Sequence, residues 1–143
     1  MTWSCTIPGE PVAMGRPRFS GGPHPRAYLP KKTRSWVAGA IVILAAHWRR
    51  EPLEGPVAVE LVFVHTRPKR LCRRKDPSGR LWRGVRPDLD NLAKSALDAI
   101  QAAGIIKDDA QVAVLEGRDM YAAKGESPKV EISVWRLQDP GHP

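Results

Sequence analysis

The segment Val57-Ala58-Val59-Glu60-Leu61-Val62-Phe63-Val64 is almost uninterrupted in apolar and β-branched residues. A strand that sends apolar side chains to both sides must be covered on both faces, so it belongs in the middle of a sheet. The rest of the chain has to supply neighbouring strands and a covering layer. Thr2–Ile7 reads as a short strand stopped by Pro8-Gly9. Gln111–Tyr121 and Lys129–Trp135 read as two more strands, the latter alternating Val130, Ile132 and Val134 with Glu131, Ser133 and Trp135. Two helical stripes complete the set. Trp36, Val37, Ala40, Ile41, Leu44, Ala45 and Trp48 follow i, i+3/i+4 spacing behind Thr33 or Ser35 as N-cap, and Glu51-Pro52 ends them. Leu89, Leu92, Ala93, Ala96, Leu97, Ile100 and Ala103 form the second stripe, which starts near Asp90 or Asn91 and closes at Gly104. The order β-loop-α-β-loop-α-β-β predicts one α+β domain over residues 1–143, a mixed sheet with two main helices, and a frayed tail from Gln138 to Pro143.

The chain of 143 residues fits one such domain. No apolar run approaches the ~18 residues of a membrane span. The start, Met1-Thr2-Trp3-Ser4-Cys5, lacks the basic-then-apolar order of a secretory signal. Cys5 and Cys72 stand alone, without the spacing of a disulfide framework or a zinc knuckle. An intracellular, reduced, non-membrane protein is expected.

Charge is unevenly spread. Lys plus Arg number 23 against 15 acids, a net charge of +8. Up to Arg34 the bases Arg16, Arg18, Arg26, Lys31, Lys32 and Arg34 face one acid, Glu10. A second basic run, from His65 to Arg86, includes Arg70, Arg73, Arg74, Lys75, Arg83 and Arg86, opposed by Asp76. From Asp88 onward ten acids face six bases. A single run of this kind is usually a solvated loop. Two Arg-rich loops in one small domain point to phosphate, which the guanidinium fork matches. Arg16, Arg18, Lys31, Arg70, Arg73, Arg74, Lys75, Arg83 and Arg86 are therefore the expected contacts to a phosphate-bearing partner such as DNA. Phe19 and Trp82 lie in the same segments and either stack on unpaired bases or anchor their loops.

The chemistry concentrates between Arg86 and Gln111. Asp88 and Asp90 flank the start of the second helix, where one Asp is ordinarily just an N-cap. Lys94 follows Asp90 by one turn, as an i, i+4 partner or a second functional group. Asp108-Asp109 returns after Gly104-Ile105-Ile106-Lys107 toward the same helix. Carboxylates gathered beside a basic rim repel one another unless a cation neutralises them, and hard oxygen donors suit Mg²⁺ or Mn²⁺. Asp88, Asp90, Asp108 and Asp109 are the expected metal-binding acids, and Lys94 would offset charge developing on a scissile phosphate. Asn91 and Asp98 are expected to support them, Asp98 by orienting Lys94. His24, His47, His65 and His142 lack metal-ligand spacing, and no nucleophile elbow, Walker or dinucleotide fingerprint is present.

Arg86-Pro87-Asp88-Leu89-Asp90-Asn91-Leu92-Ala93-Lys94, then Asp98-Ala99, Gly104 and Lys107-Asp108-Asp109-Ala110-Gln111-Val112, resembles the signature of the RusA family of Holliday junction resolvases. The resemblance is looser over Ile7-Pro8-Gly9-Glu10-Pro11, Gly15-Arg16-Pro17-Arg18 and Tyr28-Leu29-Pro30-Lys31, and the stretch from Leu71 to Arg83 has no counterpart in it. It implies a small homodimeric α+β endonuclease that nicks four-way DNA junctions in pairs with Mg²⁺ or Mn²⁺. It also implies that Asp88, Asp90 and Asp109 bind metal, with Asp108 beside them, and that Lys94 is catalytic. Enzymes of this kind act on DNA in the cytoplasm, at the nucleoid, and are often encoded by phages or prophages. Two other readings of the residues stay open: a non-catalytic basic DNA-binding protein whose acids only cap a helix, and a metal nuclease for structured RNA.

Overall fold

The computed structural model describes residues 1–141, so His142 and Pro143 of the expected frayed tail lie outside the described residues. The elements in chain order are β1 (Thr2–Pro8), β2 (Arg18–Phe19), β3 (Ala27–Tyr28), α1 (Lys31–His47), β4 (Val57–His65), β5 (Leu81–Trp82), α2 (Leu89–Ala102), β6 (Val112–Tyr121) and β7 (Lys129–Arg136). One-turn 3-10 helices span Lys69–Leu71 and Asp109–Gln111. The five-stranded sheet runs β1-β7-β4-β6-β5, with β4 and β6 parallel and every other pair antiparallel.

The expected α+β architecture is the observed one. The apolar segment forms β4, at the sheet centre, where eight of its nine residues are buried. Odd-numbered residues Val59, Leu61 and Phe63 point into the main core with Leu92, Ala96 and Ile100 of α2 and Ala40 and Leu44 of α1. Val62 and Val64 meet Ala122 and Met120 in a small cluster on the other face. Gly104 takes φ +83° just beyond α2, the conformation its terminating role requires.

Three details differ from the sequence expectation. Helix α1 starts two residues before Thr33, with Pro30 at the N-cap position and no side-chain cap. The hydroxyl of Thr33 is instead buried, donating to Ala13 O and accepting from Gly15 N, so it ties the N-terminal loop to the helix. That loop carries the short β2–β3 ladder, Arg18 opposite Tyr28 and Phe19 opposite Ala27. The basic stretch after β4 contains β5, which pairs with Met120 and Tyr121 at the sheet edge.

Candidate active site

Helix α2 carries the signature residues because its apolar stripe fixes which side is left to solvent. Leu92, Ala93, Ala96, Ala99 and Ile100 are buried, which leaves Asp90, Lys94 and Asp98 on the opposite side. Asp88 occupies the N-cap position, with extended backbone at ψ 163°, yet its carboxylate makes no capping bond. It accepts instead from Asn91 Nδ2 at 3.1 Å. The simplest structural job for this Asp is therefore not the one it performs. Asn91 thus lies beside that carboxylate. Asp90 is exposed and, among the described residues, its carboxylate pairs only with Lys94, 3.5 Å away.

The later acids sit at the other end of the same helix. The Asp108 carboxylate accepts from Ala110 N at 2.8 Å and forms a reciprocal capping box with Gln111. Asp108 is thus engaged in shaping the turn. The amide of Asp109 donates to Gln101 Oε1 at 3.0 Å, while its carboxylate accepts no hydrogen bond among the described residues. Asp98 lies close enough to feel it: partial burial, then the charge of Asp109, raises the Asp98 carboxyl above its ordinary range. Lys94 pairs with Asp90, and among the described residues Asp98 makes no hydrogen bond or ion pair with it. Two helical turns separate Asp90 from Asp98, about 12 Å of axial rise. The carboxylate chemistry suits a hard divalent cation. Yet one chain does not gather the set: among the described residues no three acidic, His or Cys side chains lie together as a metal cage.

The basic segments divide into outward and inward groups. Arg16, Arg18, Lys31, Arg70, Arg73, Arg74, Lys75 and Arg86 are all exposed. Phe19 and Trp82 are 70% and 71% exposed, so neither anchors its loop. Arg83, expected at the DNA surface, is a correction: its side chain is 8% exposed and pairs with Asp119 at 2.9 Å. Arg67 is buried too, donating to the carbonyls of Leu71, Gly79 and Pro77, so one guanidinium organises the whole insertion. Arg80 grips Glu126 and Glu131, and the Lys124 ammonium donates to Arg73 O and Asp76 O. The insertion is a braced loop whose remaining cations face outward.

A cavity of about 490 Å³ opens beside Asp88, lined among others by Trp82, Val85, Arg86, Leu89 and Arg118. Its floor is set by a close approach. A Cβ on Gly117 would lie 3.1 Å from Leu89 Cδ1, so glycine lets the start of α2 settle on β6. Sequence reasoning missed Glu10, His65 and Asp119, which lie beneath this loop. His65 Nε2 lies 2.9 Å from Asp119 Oδ1 without making a hydrogen bond to it, and His65 Nδ1 is 3.5 Å from Glu10 Oε1. Burial, then the Arg83 charge, lowers the His65 pKa, which keeps the ring neutral. The one sequence signal for His65 is a titratable residue ending a strand that is apolar but for Glu60.

The sequence profile of the family described as Endodeoxyribonuclease RusA matches residues 8–135. The chain is also 31% identical over 137 residues to the uncharacterized protein YqaN of Bacillus subtilis (strain 168), covering 90% of this chain and 92% of that protein.

Proposed function

Because the chain belongs to the RusA family of endodeoxyribonucleases, we propose that it resolves four-way DNA junctions by paired, Mg²⁺- or Mn²⁺-dependent nicks in recombination and repair. We further propose that it does so in the cytoplasm, as a two-fold dimer whose sites are shared between subunits. The observation that carries this reading is an Asp at an N-cap that does not cap, beside an exposed Asp-Lys pair. An Asp placed there only for helix stability would bond a first-turn amide. This one, engaged only through Oδ1 by Asn91 among the described residues, leaves Oδ2 available at the mouth of a cavity rimmed by Arg86, Arg118 and Trp82.

The separation of the acids supports the dimer. Helix α2 and strand β6 run in opposite directions, with Leu89 over Gly117 and Gln101 bonded to Asp109 just before β6. β6 pairs with β4 along its length, but its outer edge is covered by β5 only at Met120 and Tyr121. Ala113–Arg118 are exposed, including Val114 at 38% and Leu115 at 48%. An open, partly apolar edge is a template for another strand. A second copy pairing there antiparallel about a two-fold axis would satisfy both edges at once. It would bring the second copy's Asp109 alongside residues 117–121, the end of β6 under Asp88 and Asp90. The missing carboxylate then arrives in trans.

A divalent ion held by Asp88, Asp90 and the second copy's Asp109 would supply an acidified water and a Lewis acid for the phosphodiester. Lys94, loosely paired and exposed, is free to turn toward the scissile phosphate and offset its growing negative charge. Arg16, Arg18, Lys31 and Arg86, with the insertion cations Arg70, Arg73, Arg74 and Lys75, hold the arms. Two sites related by symmetry suit two symmetric cuts.

The test is cleavage of a synthetic four-way junction with and without Mg²⁺. Wild type should nick two opposed strands, while Asp90→Asn and Asp109→Asn should each be silent. Mixing the two silent variants under exchange conditions should restore roughly a quarter of wild-type activity, since half the dimers are mixed and each holds one intact site. An intact junction with wild type refutes the resolvase reading. A dead mixture with live wild type refutes sharing in trans.

A further inference from the structure

The loop that delivers Asp88 has little reason of its own to hold one shape. Residues 84–88 are exposed, contain Gly84, and lie outside any regular element. Asp88 is tied to the first turn of α2 through Asn91 and Leu92, and Pro87 fixes its own φ, but among the described residues the carbonyls of 85–87 are held by a single side chain. The Arg83 guanidinium donates through Nη1 to Val85 O at 3.4 Å and Pro87 O at 3.1 Å, and through Nη2 to Arg86 O at 2.9 Å. Three consecutive carbonyls, ending at the residue before Asp88, thus point into one fork.

The fork is itself held. Its Nη1 also meets Asp119 Oδ2 at 2.9 Å, and the Arg83 amide donates to Asp119 O at 2.9 Å. Asp119 Oδ1 packs against His65 Nε2 at 2.9 Å without a hydrogen bond, and His65 packs against Glu10, whose carboxylate accepts from the amide and hydroxyl of Thr66. Asp119 lies in β6 and His65 ends β4, so the support reaches the middle of the sheet. The charges are arranged for holding rather than for binding DNA. Arg83 and Asp119 neutralise each other in a nearly dry site, with side chains each 8% exposed, and neutral His65 adds none.

We propose that Arg83, braced by Asp119 and His65, is a positioning residue for Asp88: it transfers the rigidity of the β4–β6 pair to the catalytic loop. This rests on Asp88 acting in the proposed reaction. Misplacing a reacting group by ~1 Å can cost about 100-fold in rate. Lysine at 83 can still meet Asp119, but its ammonium lacks the fork that spans three carbonyls.

The experiment uses the full-length protein and a synthetic four-way junction. Arg83→Lys should lower kcat about 100-fold while KM and metal-free junction affinity stay within about twofold. Asp119→Asn, which keeps the shape but loosens the brace, should move kcat in the same direction by a smaller factor. In both variants, amide exchange in the peptide spanning residues 84–92 should accelerate, while exchange in β4 stays at the wild-type rate. The exchange readout does not depend on activity. An unchanged exchange rate overturns the relay even if wild type proves unable to cut, an outcome that would separately sink the resolvase reading. A loss confined to junction affinity overturns it too, since Arg83 would then be a phosphate contact.

Discussion

Glu126→Gln removes one charge from the brace behind the basic insertion while keeping its shape. In the folded protein the Glu126 carboxylate takes both Arg80 Nε and Nη2, the latter at 2.6 Å, and receives Lys129 Nζ at 3.3 Å. Arg80, with help from the Ala123 amide, holds this carboxyl at about 2 instead of 4.5. That depression sets an upper bound of roughly 3 kcal/mol on the favourable interaction of the charged form. The pair is not sealed from water, with Arg80 28% and Glu126 17% exposed. Solvent screening lowers the expectation to about 1–2 kcal/mol. The sign follows from linkage. A depressed folded pKa stabilises wherever the unfolded group is ionised, so the contribution is full above pH 4.5 and fades as pH falls toward about 2. Urea unfolding at a series of pH values measures it. At pH 7 the variant should be less stable by about 1–2 kcal/mol with an unchanged m-value, and the two curves should converge in acid. A constant gap across pH, or none at neutral pH, would refute the argument that ionised Glu126 holds the insertion in place.

Other outcomes follow from single contacts. Gly117→Ala sets a Cβ 3.1 Å from Leu89 Cδ1, so it should cost about 1–2 kcal/mol in chemical unfolding and lower junction cleavage by shifting the start of α2. Thr33→Val leaves Gly15 N and Ala13 O without their partner and should lower stability by about 1–3 kcal/mol, read by thermal unfolding. Leu115→Arg on the open edge of β6 should leave far-UV circular dichroism unchanged while sedimentation shows a monomer and cleavage is lost. Because the His65 pKa lies below 6.5, stability should decline as pH drops through 6.5 toward the folded value, and His65→Gln should flatten that limb in a pH series of unfolding curves.

Much of the fold is legible in local pattern because burial writes itself locally. The nearly all-apolar run became the central strand and the stripe at Leu92, Ala96 and Ile100 became the buried side of α2. Helix α1 shows where the pattern is silent. Its register is readable from Trp36, Ala40 and Leu44, but its start is set by Pro30 and by a tertiary use of the Thr33 hydroxyl. The signature residues were legible as a set through the spacing of Asp88, Asp90, Lys94 and Asp109. Their separation was not, because a helix's length and the direction of the next strand decide it. The partners of the inward arginines were equally hidden: Glu126 and Glu131 lie 46 and 51 residues from Arg80, and Asp119 lies 36 from Arg83.

The inward arginines explain how so basic a segment can be shaped at all. A loop rich in like charges tends to extend and stay solvated, because its cations repel and its carbonyls are satisfied by water. Here Arg67 and Arg83 turn those two liabilities against each other. Each buries its guanidinium among carbonyls of its own loop, three for Arg67 and three for Arg83, so the charge that would expand the chain satisfies the backbone that would hydrate it. Arg80 does the same with two carboxylates from the acidic half. The exposed cations then project from a fixed frame, so under the proposed function less conformational entropy would be lost on meeting phosphate. Segregating a basic half from an acidic half therefore has a structural role besides the proposed attraction of DNA. It supplies carboxylates to anchor the inner cations on the sheet, and it keeps the acids at α2 beside a positive rim that offsets their repulsion of the substrate.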